Sequence, residues 1–243
     1  MLNPLAMQVF GSGPPLVFLH GWGFDAGIWK PWMPELQRLL PNHQMILVDL
    51  PGFGDSALLD WASFKTALWS VLPNKFGVVG WSLGGLYGTR LAIEHPDRIS
   101  HVFNMTTSPH FMQASNWTGI SAPILDDFYH RLQVDPLKTQ RQFVEAQLSH
   151  HLTDIALSPS TMLGLKEGLD ILKLWDLRDS LSRLKMPVAF VFGRLDTIVP
   201  RTLLPIMKKY YPEFQYTLLP HAAHIPFLSH PEICAQLLRD FLC

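Results

Sequence analysis

The sequence predicts an α/β fold built on a mostly parallel central sheet, with helices on both faces and a helical insertion between its two halves. Three observations predict it. Short apolar runs rich in Val, Ile, Leu and Phe alternate with longer helical patterns over the first hundred residues. Strands without polar alternation belong to a sheet covered on both faces. The strand pattern lapses from about residue 109 to about 175 and then resumes. Finally, a glycine-flanked serine in VVGWSLGGL (78–86) stands where a buried run gives way to a helical one.

The elements follow in order. LVFLHG (16–21) reads as a buried strand entering a Gly-rich turn, and MPELQRLL (33–40) as a helix stopped by Pro41-Asn42. QMILVDLPG (44–52) is the next strand and WASFKTALWSVL (61–72) the next helix. FGVVGWS (76–82), LGGLYGTRLAIEH (83–95) and ISHVFNMTT (99–107) continue as strand, helix and strand. From 109 to 175 the segments ILDDFYHRL, KTQRQFVEAQLSHHL and STMLGLKEGLDILKLW read as helices interrupted by Pro123, Pro136 and Pro159. VAFVFG (188–193) and FQYTLLP (214–220) restore the sheet, and PEICAQLLRDFL (231–242) closes the chain as a helix. The expected division is a core of residues 1–108 and 176–243 with an inserted lid of 109–175. Such a lid would cover the sheet edge where open α/β sheets bind ligands.

The 243 residues, 48% of them hydrophobic, suffice for one sizeable core. Only 16% are charged and the formal net charge is −1, so the broad basic field that nucleic-acid binding needs is missing. Cys234 and Cys243 make neither a disulfide framework nor a metal-ligand spacing, which predicts a reducing, cytoplasmic setting. No basic leader precedes the first short apolar pieces, and no run approaches the roughly 20 apolar residues of a membrane span. The expectation is a protein with no nucleic-acid or membrane partner.

Ser82 is a candidate nucleophile. A serine on a tight strand-to-helix turn is exposed at the sheet edge, its neighbours are crowded enough to require glycine, and the helix that follows aims N–H groups nearby. The competing reading is a serine helix cap with packing glycines. A serine hydroxyl needs a base within hydrogen-bond reach. Among eleven histidines, His224 in LLPHAAHIPFLSHPE follows a strand in a loop at the right edge; His221 in the same loop is its rival, and His230 reads as a polar lead-in to the last helix. The acid that fixes the base is Asp196 in FGRLDTIVP, against the simpler role of a turn aspartate; Asp49, before PGFG, is its competitor, with a structural turn contact expected there. The N–H groups of Leu83 and of Trp22, in FLHGWG, are the candidate oxyanion donors, and His20 is expected to be a buried loop anchor. No metal or organic cofactor is implied.

HGWG, DLPGFGDS, GWSLGG, GRLDTIVP and HAAHIPFLSHPE, in that order and across nearly the whole chain, resemble the α/β-hydrolase family. TTSPHF (106–111), GLDILKLWDLRDSL (168–181) and AAHIPFLSHPEIC resemble more narrowly its pimeloyl-[acyl-carrier protein] methyl ester esterases of biotin synthesis. The resemblance implies Ser82 as nucleophile, Asp196 as acid and His224 as base, with Trp22 and Leu83 at the substrate carbonyl. It also implies substrate contacts for Phe143 and Gln147. Arg131, Lys138 and Arg141, set against Asp135 and Glu145, would face an acidic carrier protein. An acyl chain would lie among Phe111, Met112, Phe128, Phe143, Leu148, Leu152, Met162 and Leu163, residues that equally suit lid-to-core packing. Other readings of the same three catalytic residues are a broad short-chain esterase acting on small-molecule esters or a carbon–carbon bond hydrolase. A catalytically idle receptor of this fold is a further one.

Overall fold

In a computed structural model of the chain, which describes residues 4–147 and 160–243, seven strands form one sheet. They are β1 (Met7–Phe10), β2 (Pro15–Leu19), β3 (Gln44–Val48), β4 (Phe76–Trp81), β5 (Ile99–Met105), β6 (Val188–Gly193) and β7 (Gln215–Leu219). Their spatial order is β1-β3-β2-β4-β5-β6-β7. All neighbouring pairs are parallel except β1 on β3. β1 is not among the expected strands. MQVF is a short edge strand with its middle residues exposed, so no buried run marks it.

The non-alternating runs are explained by burial on both faces: every residue of β4 and β6 is buried. Successive side chains of a strand point to opposite faces, so β2 sends Val17 and Leu19 to one core and Leu16 and Phe18 to the other. The first core is covered by α2 (Trp61–Trp69) and α3 (Leu83–Glu94), the second by α1 (Met33–Leu39) and α10 (Pro231–Leu242). Cys234 is fully buried in the second core as a free thiol, and burial pushes its pKa up to about 12.

Helix ends follow local chemistry. The Asp60 carboxylate accepts from the Ser63 N–H at 2.7 Å to start α2, and α3 stops at Glu94 before His95-Pro96. A 3₁₀ segment, Ala26–Trp32, is opened by Asp25, which accepts from the Gly27 N–H at 2.6 Å. Between β5 and β6 lie α4 (Ala122–Val134), α5 (Pro136–Gln147), α6 (Met162–Leu174) and the single turn α7 (Arg178–Leu181). Residues 109–110 and 176–177 meet at the neck of this segment through a His110–Asp176 bridge and a 2.9 Å bond from the Leu177 N–H to the Pro109 carbonyl. α8 (Leu203–Tyr210) precedes β7, and α9 (Pro226–Ser229) is a turn before α10. α8 is not among the expected helices, and Pro205 is the residue within it that reads as a breaker. It sits in the first helical turn, where a missing N–H costs little.

The chain runs from β2 outward to β3 and returns to β4 on the other side of β2. The connections leaving β2 and β4 therefore diverge, and the crevice between them at the C-terminal strand ends is where this topology places a ligand.

Candidate active site

Ser82 stands at the end of β4 as the residue before α3, with φ 53° and ψ −118°. A non-glycine residue in that region is strained and persists only where its surroundings hold it. The turn is closed by the Ser82 N–H, which donates to the Met105 carbonyl at 3.1 Å. Glycine is required nearby: a Cβ on Gly84 would run into the Leu19 carbonyl, and one on Gly80 would stand 2.5 Å from the Gly85 Cα.

The structure brings Ser82, His224 and Asp196 together. The Ser82 Oγ lies 2.9 Å from His224 Nε2, and His224 Nδ1 lies 2.8 Å from Asp196 Oδ2. A carboxylate oxygen can only accept, so Nδ1 carries the proton and Nε2 is free to accept from the serine hydroxyl. The other carboxylate oxygen, Oδ1, accepts from the Ile198 and Val199 N–H groups at 2.8 and 3.0 Å. All three side chains are buried, each at most 6% exposed, so the hydrogen bonds among them meet little solvent screening.

The rival residues are placed elsewhere. His221 is exposed. His230 leads into α10 as expected, but its ring makes no cap there and meets the Ser229 Oγ at 2.8 Å. The Asp49 carboxylate accepts from the Ala26 N–H at 2.7 Å and the Asp55 N–H at 2.9 Å, which makes it a turn organiser. His20 is the expected anchor: Nδ1 donates to the Gly21 carbonyl at 2.8 Å, and Nε2 accepts from the Leu50 N–H at 2.9 Å. Burial lowers its pKa, which keeps the ring neutral in this role.

Leu83 opens α3, where backbone N–H groups lack carbonyl partners one turn earlier, and Trp22 lies in the loop after β2. The Trp22 side chain does more than sequence analysis assigned to it. Its indole N–H donates to the Leu165 carbonyl of α6 at 2.7 Å, and its ring meets Phe128 of α4 and Phe143 of α5 edge-on at 5.3 and 4.9 Å. One tryptophan thus ties the loop after β2 to three helices.

A cavity of about 260 Å³ opens at Ser82 and is walled by Trp22, Phe111, Phe128 and Phe143, with Leu169 and Leu172 from α6. Leu148 and Leu152 lie outside the described residues. Met162 and Leu163 point to solvent, 42% and 55% exposed, because α6 buries the stripe Gly164, Leu165, Gly168, Leu169 and Leu172. The period of 3.6 residues in GLKEGLDIL separates the two faces, and that signal identifies Leu169 and Leu172 from sequence. Gln147 is not on the cavity wall; its amide donates back to the Phe143 carbonyl at 2.9 Å, while Gln142 and Ala146 face the cavity. Thr197 and Ile198, beside Asp196, also line it. Arg131 stands at its rim, paired with Asp127 at 2.8 Å and lying over the Phe128 ring. Lys138 and Arg141 are exposed and flank a groove on α5 together with Asp135 and Glu145.

A model of the alpha/beta hydrolase family matches residues 16–237. The chain belongs to the α/β-hydrolase family. Among curated relatives of this hydrolase, the pimeloyl-[acyl-carrier protein] methyl ester esterase of Legionella pneumophila (strain Corby) is 45% identical over 97% of this chain and 98% of its own. The enzyme of the same name from Aeromonas hydrophila is 36% identical over 98% and 99%. Solved structures share the fold at lower identity. An esterase from Exiguobacterium antarcticum superposes with a TM-score of 0.86 at 18% identity, covering 98% of this chain and 95% of that one. The enol-lactonase from Burkholderia xenovorans LB400 gives 0.83 at 18%, covering 98% and 96%. Among the described residues of this hydrolase, no helix is long and apolar enough to cross a membrane.

Proposed function

We propose that this α/β-hydrolase is a serine carboxylesterase that removes the methyl ester from pimeloyl groups on acyl-carrier protein, yielding methanol and the free carrier-bound acid for biotin synthesis. The observation that carries the chemistry is the unbroken relay Ser82–His224–Asp196 at the floor of an apolar cavity. Relatives bearing that activity in their names, 45% and 36% identical over nearly full length, support the substrate.

Ser82 Oγ attacks the ester carbonyl while His224 Nε2 takes its proton, and Asp196 holds the imidazolium that forms. The carbonyl oxygen gains charge against the N–H groups of Trp22 and Leu83, each such donor contributing about 3 kcal/mol of barrier lowering. The Ser82 O–C bond forms, the C–OCH₃ bond breaks, and His224 returns the proton to the departing methoxide. Water repeats the sequence on the acyl-enzyme, assisted by the same histidine, and frees the acid. No step calls on a metal or organic cofactor.

Residues 109–175 form a lid in this reading. Phe128 and Phe143 hold the acyl chain with Trp22, and Arg131, Lys138 and Arg141 meet the acidic carrier at the mouth. The setting is cytoplasmic, as the carrier-bound substrate requires. The test is methanol release from methyl pimeloyl carrier protein beside turnover of short aryl esters. Preference for the carrier substrate in kcat/KM supports the proposal; equal or better turnover of the aryl esters with none of the carrier substrate contradicts it.

A further inference from the structure

The nucleophile and the base sit on different elements, 142 positions apart in sequence, yet their side chains meet at 2.9 Å. Two consecutive hydroxyls bind the backbones that carry them. The Thr107 hydroxyl donates to the carbonyl of Ser82 at 2.6 Å. The Thr106 hydroxyl donates to the carbonyl of His224 at 2.7 Å. Both threonines are buried, at the end of β5 between the two elements.

The backbone is built to make this possible. Thr106 has φ 43°, and among the described residues only Ser82 shares a positive φ without being glycine. A β-branched residue in that region is a genuine outlier. It is held there by its own N–H, which donates to the Val191 carbonyl at 2.8 Å, and by its grip on His224. Thr107 packs against α3 so closely that a Cβ on Gly85 would stand 2.5 Å from its methyl carbon.

We infer that Thr106 and Thr107 are positioning residues for the reaction, forming one clamp that sets the separation of Ser82 and His224. The inference rests on the roles proposed above for those two residues. Neither carbonyl depends on the clamp for its hydrogen bonding. The Ser82 carbonyl also accepts from the Gly85 and Leu86 N–H groups at 3.0 and 3.2 Å, and that of His224 from the Trp81 indole at 2.8 Å. Loss of either hydroxyl therefore leaves no orphaned carbonyl, and a merely structural role predicts a modest fall in Tm with no change in rate. A positioning role predicts a change in rate, because small misplacements of reacting groups cost about a hundredfold per ångström.

The experiment compares Thr106→Val and Thr107→Val, which replace each hydroxyl by a methyl group that pushes the carbonyl away, with Thr106→Ser and Thr107→Ser, which keep the hydroxyl. Thr106→Ala and Thr107→Ala, which add no bulk, replace any valine variant that does not fold. The readouts are kcat and KM for ester hydrolysis, the rate of fluorophosphonate labelling, and Tm. The expected result for the valine variants is kcat and labelling rate lowered by about tenfold or more, with KM nearly unchanged and Tm lowered by only a few degrees, the cost of crowding a buried methyl against a carbonyl. The serine variants should return most of the loss. Wild-type kcat and labelling in the valine variants overturns the clamp, and so does an equal loss in the serine variants. Ser82→Ala, run alongside, separates the two failures: if it stays active, the proposed mechanism fails, whereas an inactive Ser82→Ala beside normal valine variants condemns the clamp alone.

Discussion

The floor of the cavity and the helices above it are built by different rules. The floor is polar, and its side chains are fixed by backbone groups: two N–H groups aim Asp196, strand β5 closes the Ser82 turn, and the His224 carbonyl takes two donors. The cover from α4 to α6 reaches the floor mainly through aromatic rings, Phe128 and Phe143 against Trp22, with hydrogen bonds from the Trp22 indole to Leu165 and from the Gln140 amide to the Gly23 carbonyl at 2.7 Å. Its outer faces carry exposed apolar side chains such as Val134, Leu137 and Leu163. Chemistry needs atoms held to fractions of an ångström, which backbone hydrogen bonds supply; accommodating a chain needs a wall that slides, which ring contacts allow.

The contrast is tested first on the floor, where effects should be largest. Ser82→Ala should lower kcat by about 10⁴-fold or more while the fold persists, read by ester hydrolysis and circular dichroism. Asp196→Asn should cost about 10⁴-fold in kcat, because an amide accepts poorly from Nδ1 and turns the imidazole to the wrong tautomer; a loss under tenfold points to a different acid. In the cover, Phe128→Ala or Phe143→Ala should raise KM by about tenfold with kcat changed much less, the worth of one aromatic contact in an apolar pocket. A fall in kcat as deep as the Asp196 variant's would erase the distinction between floor and cover.

Much of this contrast was legible in the sequence, and the legible part is the floor. Ser82 and Asp196 follow the buried apolar runs of β4 and β6, and His224 follows β7, an edge strand of which only Leu219 is buried but which FQYTLLP still marks, so the strand pattern also locates the residues beyond their C-terminal ends. The cover was less legible. Met162 and Leu163 were counted among its apolar lining, but α6 turns them outward and uses Leu169 and Leu172. Hydrophobicity names candidates for a wall, and only the helical period says which of them face it. Gln147 stands off the cavity wall for a related reason, its amide being captured by its own helix. Thr106 and Thr107 open TTSPHF, which marks the resemblance but assigns them no role, since a hydroxyl that binds a carbonyl 118 positions away looks like any strand-end threonine.

Smaller effects belong to the surface. Lys138→Ala with Arg141→Ala should raise KM for carrier-bound substrate by about threefold to tenfold at low salt, less at high salt, and leave small esters unaffected. An equal effect on small esters would remove the carrier from the explanation. Smallest is the anchor at the far end of α3, where Glu94 binds Lys65, Arg90 and the Trp61 indole. Partial burial pushes the Glu94 carboxyl up, but those hydrogen bonds outweigh it and bring its pKa to about 2 from 4.5. A depressed carboxyl contributes stability that is complete above the unfolded value and is lost as pH falls. Wild type should therefore lose stability relative to Glu94→Gln between about pH 4.5 and 2, measured by urea unfolding; parallel pH curves would show that the carboxylate charge adds nothing.

The central claim is that Ser82 is the activated hydroxyl on which ester cleavage turns. Peptide mapping after reaction with a fluorophosphonate tests it most directly: one label per chain, on Ser82, lost when His224 is replaced by Gln. Labelling at another residue, or unchanged labelling of Ser82 in the His224→Gln chain, would contradict it.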